Sequence, residues 1–282
     1  ERNSMSQAKV SDLLLYPIKG CRGYSVDQAT VTPMGLVGDR EFAVIKDGER
    51  INQKQLSSMM YLSAVWKSAE YLELSFPGTS NFELNCAVSS KQTLGKIQVY
   101  GSDLSIQDMG DDVAFWLTER LGAVVRLART NGAAPWFLPV PEFVSVHGKP
   151  QTKFVDAAPI LLTNTESLDD LNARLSDELP MNRFRPNIVV DLLEAYKEDS
   201  LEIFNFPSLN LERVAICERC TVTTTDQETG EVAKEPLRTL SKYRKRADGY
   251  AGGIMFGIYV TAIADGKLAN DENHCRLNKA DA

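Results

Sequence analysis

Histidine is nearly absent: in 282 residues only His147 and His274 occur. With so few, no Ser-His-Asp triad can be assembled. The chain also lacks G-x-x-x-x-G-K-[ST] and G-x-G-x-x-G, which removes the common phosphate-cradling loops of nucleotide enzymes. No apolar run approaches the ~18 to 20 residues that cross a bilayer, and the first residues show no basic-then-apolar leader pattern. The expectation is a soluble, cytoplasmic protein without a membrane span. Excess positive charge is missing as well; a net charge of −7 gives no general affinity for nucleic acid. The five cysteines are an odd set without the even framework of a secreted disulfide scaffold, so reduced thiols are expected.

What is present is ordinary globular composition, 43% hydrophobic and 24% charged, in a chain long enough for two small domains. Glu1 to Ser4 precede Met5, the expected natural start. Short alternating stretches punctuated by Gly, Pro and Asp-Gly predict strands at 10–16, 30–32, 41–45, 62–66 and 71–76. The helix predicted over Asp111–Leu121 has Val113, Phe115, Trp116, Leu117 and Leu121 near helical spacing, with Asp111 and Asp112 in its first turn. Further strands are expected at 124–128, 159–162, 188–190 and 254–260. Thr165 is expected to cap a helix through Leu175, and Pro236 to open another. The segment between Thr130 and Lys153 lacks periodicity and marks a boundary. From Asp265 the chain reads as a polar tail with little to bury.

The chemistry concentrates in VAICERCTVTTTDQETGEVAKE, residues 214–235. Leu209, Leu211, Val214 and Ile216 alternate before the thiols, and the Thr-rich run after them has strand composition. Cys217 and Cys220 are therefore expected on or beside a strand start. Several roles suit such a pair: a zinc half-site with His274 and Cys275, a redox dithiol, two buried apolar thiols, or one thiolate bound to a metal whose other ligands are not protein. Elsewhere, Lys19 and Arg22 flank Gly20 in a loop that can cradle an anion. Arg183 and Arg185 precede a buried strand, where a core has no need of cations and where an arginine fork suits phosphate or carboxylate.

These residues carry a resemblance. Cys217-Glu-Arg-Cys220 with Thr224, Asp226, Thr229-Gly230 and Glu235-Pro-Leu-Arg-Thr-Leu240 is similar to the core of the MOSC domain, found in molybdenum cofactor sulfurases and amidoxime-reducing enzymes. Asn182-Arg-Phe-Arg-Pro-Asn-Ile188 matches its second signature. Tyr16-Pro-Ile-Lys-Gly-Cys21 and Gly38-Asp-Arg40 resemble the β-barrel domain that precedes it. The resemblance runs from about Val10 to Val260. It implies an α+β, β-rich fold: an N-terminal MOSC-type β-barrel domain at 5–130, a MOSC β-barrel core with peripheral helices at 131–268, and a polar tail at 269–282.

It further implies a pyranopterin molybdenum cofactor with Cys220 as the protein ligand to the metal. Tyr259 falls beside the site, and Lys19, Gly20, Arg40, Asp156, Arg183, Arg185, Asn187 and Thr224 take cofactor-binding positions. Gly20 stands where mammalian members carry serine, and Ala157 and Ala158 replace hydroxyl residues, so some contacts must be made differently. Pyridoxal phosphate binding is a further association of the family. The implied reaction is two-electron reduction of an N-hydroxylated substrate, with the metal passing from Mo(IV) to Mo(VI). No C-x4-C-x2-C run follows Tyr259, so electrons are expected from a separate ferredoxin, flavoprotein reductase or cytochrome b5-like protein, or from a domain outside this sequence. The alternatives are a carrier of cofactor or sulfur, and a module that binds an anion without catalysis.

Overall fold

The computed structural model describes residues 7–89, 94–99, 102–130, 134–135, 151–155, 157–247, 252–272 and 275–279. Seven strands close into a barrel. In spatial order these are Ile188–Asp191, Ile160–Asn164, Met255–Ala262, Leu209–Glu218, Leu201–Phe206, Cys275–Lys279 and Gln7–Leu15, the last pairing back onto Ile188–Asp191. One pair, Ile160–Asn164 with Ile188–Asp191, is parallel, and a parallel pair needs a crossover. The helix Thr165–Asn172 lies in that connection. The barrel is filled by inward residues at alternate positions, among them Val10, Leu13, Ile160, Leu162, Phe204 and Ile258, as the two-residue side-chain period dictates.

The barrel's first strand comes from the opposite end of the chain to its neighbour, because Ala8 pairs with Cys275. This corrects the polar-tail reading of the residues beyond 265. Gly266–Ala269 pairs with Gln28–Thr32, and Leu268 and Cys275 are buried in the barrel core. Two apolar residues among polar ones suffice when one face of a strand is wet.

The remaining N-terminal strands form smaller sheets. One joins Leu94–Val99, Ser102–Asp108, Arg126–Arg129, Phe42–Lys46 and Glu49–Arg50; another joins Ser63–Trp66, Tyr71–Ser75 and Phe82–Asn85. Both pack round a second core that includes Ile18, Phe42, Leu72 and Trp116. Ile18 sits in the loop that leaves the first barrel strand, so the cations flanking it lie where the two cores meet.

The helix Asp111–Leu121 forms as expected. It has acidic residues in its first turn, Arg120 in its last, and Gly122 at φ 72° as the left-handed C-cap. Phe115 is 69% exposed because it lies two residues from Val113, nearly half a turn off the buried face. The next helix is capped by Asn164, whose side chain accepts from the Glu166 amide, so Thr165 is its first residue and not its cap. Thr221–Thr224 is a 3-10 turn and not a strand. The hydroxyls of Thr223 and Thr224 donate to the Cys220 and Thr221 carbonyls at 2.9 and 2.8 Å, a local bonding pattern that competes with a sheet ladder. Among the described residues no helix is long and apolar enough to cross a membrane.

Candidate functional site

Cys217 lies near the end of the barrel strand Leu209–Glu218 and Cys220 just beyond it, so the pair sits at a strand's end and not its start. All five cysteines are unbridged; Cys220 is exposed and the other four are buried. Cys220 opens onto a cavity of about 370 Å³ that also meets Lys19, Gly20, Arg40, Arg185, Asn187 and Tyr259. Residues from both halves of the chain thus share one space with the exposed thiol.

Arg40 and Arg185 are held by the fold. Arg40 pairs with buried Asp39, donates to Asn187 Oδ1 at 3.1 Å and reaches the Arg185 carbonyl. Asp39 in turn accepts from the Tyr16 amide at 2.8 Å. The guanidinium carbons of Arg40 and Arg185 lie 4.7 and 4.5 Å from the Tyr16 ring centroid, which places both within cation–π range of one aromatic ring. Tyr16 is 2% exposed. Burial pushes its phenol up to about 12, against the opposing pull of Arg185 and Arg40. Gly23 permits this packing, since a Cβ there would fall 2.3 Å from the Tyr16 ring.

Asn187 is wholly engaged by the barrel. Its Oδ1 accepts from Leu161 N as well as Arg40, and its Nδ2 donates to Leu14 O. It borders the cavity but acts by fixing Arg40. Gly20 has φ +77° and approaches Asn52 so closely that a Cβ would lie 3.2 Å from the Asn52 Cα. The backbone conformation and the neighbouring loop both explain why glycine, and not serine, suits this chain.

Two nominated residues lie elsewhere. Arg183 is buried and donates to Thr223 O and Thr224 O, each at 3.0 Å, and to Asp226 Oδ2 at 3.2 Å. It therefore braces the loop after Cys220 and does not border the cavity. Thr224 belongs to the same brace, with its carbonyl accepting from Arg183 and its hydroxyl turned to Thr221 O. The reason is local. Arg183 ends a 3-10 turn, whereas Arg185 adopts φ 57°, so two arginines one residue apart leave the chain in different directions. Asp156 lies outside the described residues, as do His147 and His274; Ala157 and Ala158 border the cavity.

The cavity also meets residues that sequence reading missed: Asn52, Gln53 and Lys54 from one loop, and Glu218 and Arg219 from between the thiols. Arg219 donates to Phe184 O at 2.6 Å and to Cys217 Sγ at 2.8 Å, yet its Nε is buried without a partner. The signal was a cation inside the thiol motif itself. Five cations (Lys19, Arg40, Lys54, Arg185, Arg219) thus face one carboxylate, Glu218, among the described lining residues. This donor set fits a polyanionic ligand whose soft metal takes a thiolate. Among the described residues no cluster of three or more His, Cys, Asp or Glu stands ready for a metal. A larger cavity of about 450 Å³ lies at Glu41, Arg129 and Lys153. There the carboxylate already takes both cations, at 2.9 and 3.1 Å, and no nominated residue is present.

Comparison with known proteins agrees with this layout. The MOSC N-terminal beta barrel domain matches residues 7–124 and the MOSC domain residues 147–273. The chain is 33% identical over 270 residues to mitochondrial amidoxime reducing component 2 of Bos taurus, covering 92% of this chain and 80% of that protein. It is 32% identical to mitochondrial amidoxime-reducing component 1 of Homo sapiens, covering 84% and 72%. To the molybdenum cofactor sulfurase of Oryza sativa subsp. japonica it is 29% identical, covering 91% of this chain but 33% of that protein. With both domains matched in order and relatives at about this identity over most of its length, the chain belongs to the MOSC-domain family, alongside the amidoxime-reducing components.

Proposed function

We propose that the protein is a molybdenum-cofactor-dependent reductase that cleaves the N–O bond of N-hydroxylated compounds, namely base analogues, amidoximes and hydroxylamines. The observation that carries this reading is the exposed Cys220 thiol set against five cations in one cavity. A lone thiol needs no such field, and an anion site needs no thiol; a phosphate-bearing metal cofactor uses both. When bound, the cofactor supplies the two-electron metal centre for the reduction.

The chain's own residues hold and orient. Cys220 is the protein ligand to the metal, while Lys19, Arg40, Arg185 and Arg219 oppose the cofactor's negative charge. Arg40 is pre-set by Asp39 and Asn187, so little side-chain entropy is lost on binding. Arg183 and Thr224 act at one remove, by fixing the loop that presents Cys220. Tyr259 borders the same space and is assigned the orientation of the substrate oxygen. Two electrons and two protons convert the N-hydroxyl compound to the amine and water. The electrons come from a separate ferredoxin, flavoprotein reductase or cytochrome b5-like donor, or from a redox domain outside this sequence.

The similarity to a cofactor sulfurase favours one second reading, a carrier of cofactor or sulfur on Cys220. Metal analysis together with turnover of protein from a host that makes the cofactor separates the two. About one molybdenum per chain with N–O reduction supports the reductase; sulfane sulfur, or molybdenum without turnover, supports the carrier.

A further inference from the structure

Cys217 does not border the cavity, yet a residue that does is tied to its sulfur. Cys217 lies in the barrel strand with 0% exposure, and its Sγ accepts from Arg219 Nη1 at 2.8 Å. The neighbouring strand brings Tyr259 opposite Ala215, two residues before Cys217. The thiol hydrogen is directed to Glu218 O, 3.7 Å away. One buried sulfur thus meets one donor and one acceptor.

Arg219 is pinned at both ends. Its Nη2 donates to Phe184 O, its Cζ lies 5.5 Å from the Phe184 ring, and Phe184 is stacked on Phe256 with centroids 3.8 Å apart. Without the sulfur, the carbonyl alone would hold one amino group and the guanidinium could pivot about it. We infer that Cys217 is a positioning residue: its sulfur fixes Arg219 in the cavity wall beside Cys220. A thiol that merely filled space would be replaceable by any apolar group of its size. A thiol that holds a donor is replaceable only by another acceptor.

The consequence for turnover rests on the proposed function, but the positioning itself is read in metal-free protein. Cys220 is exposed and the other cysteines are buried, so iodoacetamide under native conditions reports on Cys220. Cys217→Ser keeps an acceptor and should alkylate within about twofold of the parent. Cys217→Ala and the volume-filling Cys217→Val should both slow by about fivefold, because the Arg219 side chain that shares the cavity wall with Cys220 is no longer fixed. Thermal melts confirm which variants are folded, and Cys217→Val carries the test if the alanine variant is not. Parent-like alkylation in the alanine and valine variants would overturn the inference, as would equal slowing in all three. Failure of the cofactor proposal would show differently, as molybdenum missing from the parent, and would leave the alkylation comparison intact.

Discussion

The Arg40 guanidinium donates to the backbone carbonyl of Arg185 at 3.4 Å, so a residue of the first half of the chain fixes the turn that aims a cation of the second. Both arginines have left-handed backbone, φ 46° and 57°. That conformation costs a non-glycine residue about 1 to 3 kcal/mol and persists only where its surroundings enforce it. Here the Tyr16 ring, Asp39 and Asn187 do so.

Arg185→Ala is expected to lower cofactor content more than fold stability. Removing the guanidinium leaves ligand charge unopposed in a partly desolvated site, a loss of about 3 to 5 kcal/mol in binding. Molybdenum per chain and the thermal midpoint measure the two effects. Full occupancy in this variant would make the arginine structural.

Arg183→Ala should behave in the opposite way. It leaves the Thr223 and Thr224 carbonyls and Asp226 without their buried donor, and should cost about 2 to 4 kcal/mol of folding stability. Denaturant midpoints will show this, with cofactor loss following the unfolding and not preceding it.

Cys220→Ser should abolish reduction of an N-hydroxylated base and change the molybdenum EPR signal. Parent protein loaded with cofactor should turn over with reduced viologen but not with NADPH alone, because the dinucleotide fingerprint is missing. With a protein donor the rate should fall as salt rises. Anaerobic turnover with each donor in turn decides the matter; reduction by NADPH with no second protein would exclude the separate-donor reading.

Glu198 predicts a pH dependence outside the cavity. It is 0% exposed and accepts from Ser167 Oγ at 2.8 Å and Asn164 Nδ2 at 3.0 Å. Burial, reinforced by Asp199, pushes its carboxyl up to about 7. The folded state therefore holds the proton over a range where the unfolded chain has released it. Stability is greatest below the ordinary carboxylate range and declines as pH rises towards about 7. Glu198→Gln should remove that decline, gaining about 1 to 3 kcal/mol over the parent at pH ~8 relative to pH ~4. Parallel stability profiles for the two proteins would show that Glu198 does not set the slope.

Much of the site was legible in the sequence because its parts sit in short motifs. Lys19, Arg40, Arg185, Asn187 and Cys220 each lie in a run whose glycines, prolines or thiols mark a loop between strands, and the fold brings those loops to one cavity. Arg183 was read with Arg185 because spacing alone does not reveal that one ends a 3-10 turn and the other is left-handed. Arg219 was passed over as a spacer between cysteines. Asn52, Gln53 and Lys54 carry no motif, and only the folding of their loop against the cavity, where Asn52 and Gln53 approach Gly20, places them. The threonines after Cys220 misled by composition, since β-branched residues favour strands while their hydroxyls here close a tight turn.

The barrel strand Gln7–Leu15 has Ile188–Asp191 on one side and Cys275–Lys279 on the other. A ribosome therefore delivers this strand long before its second neighbour. Until then one hydrogen-bonding edge stays open, and an open edge invites pairing with the wrong chain. Closing so long a loop adds little to the equilibrium cost, which grows only as the logarithm of loop length, but such non-local pairing slows folding. The barrel thus closes only once Cys275–Lys279 has been made, and the vulnerable interval is the time its partner strand Gln7–Leu15 spends waiting.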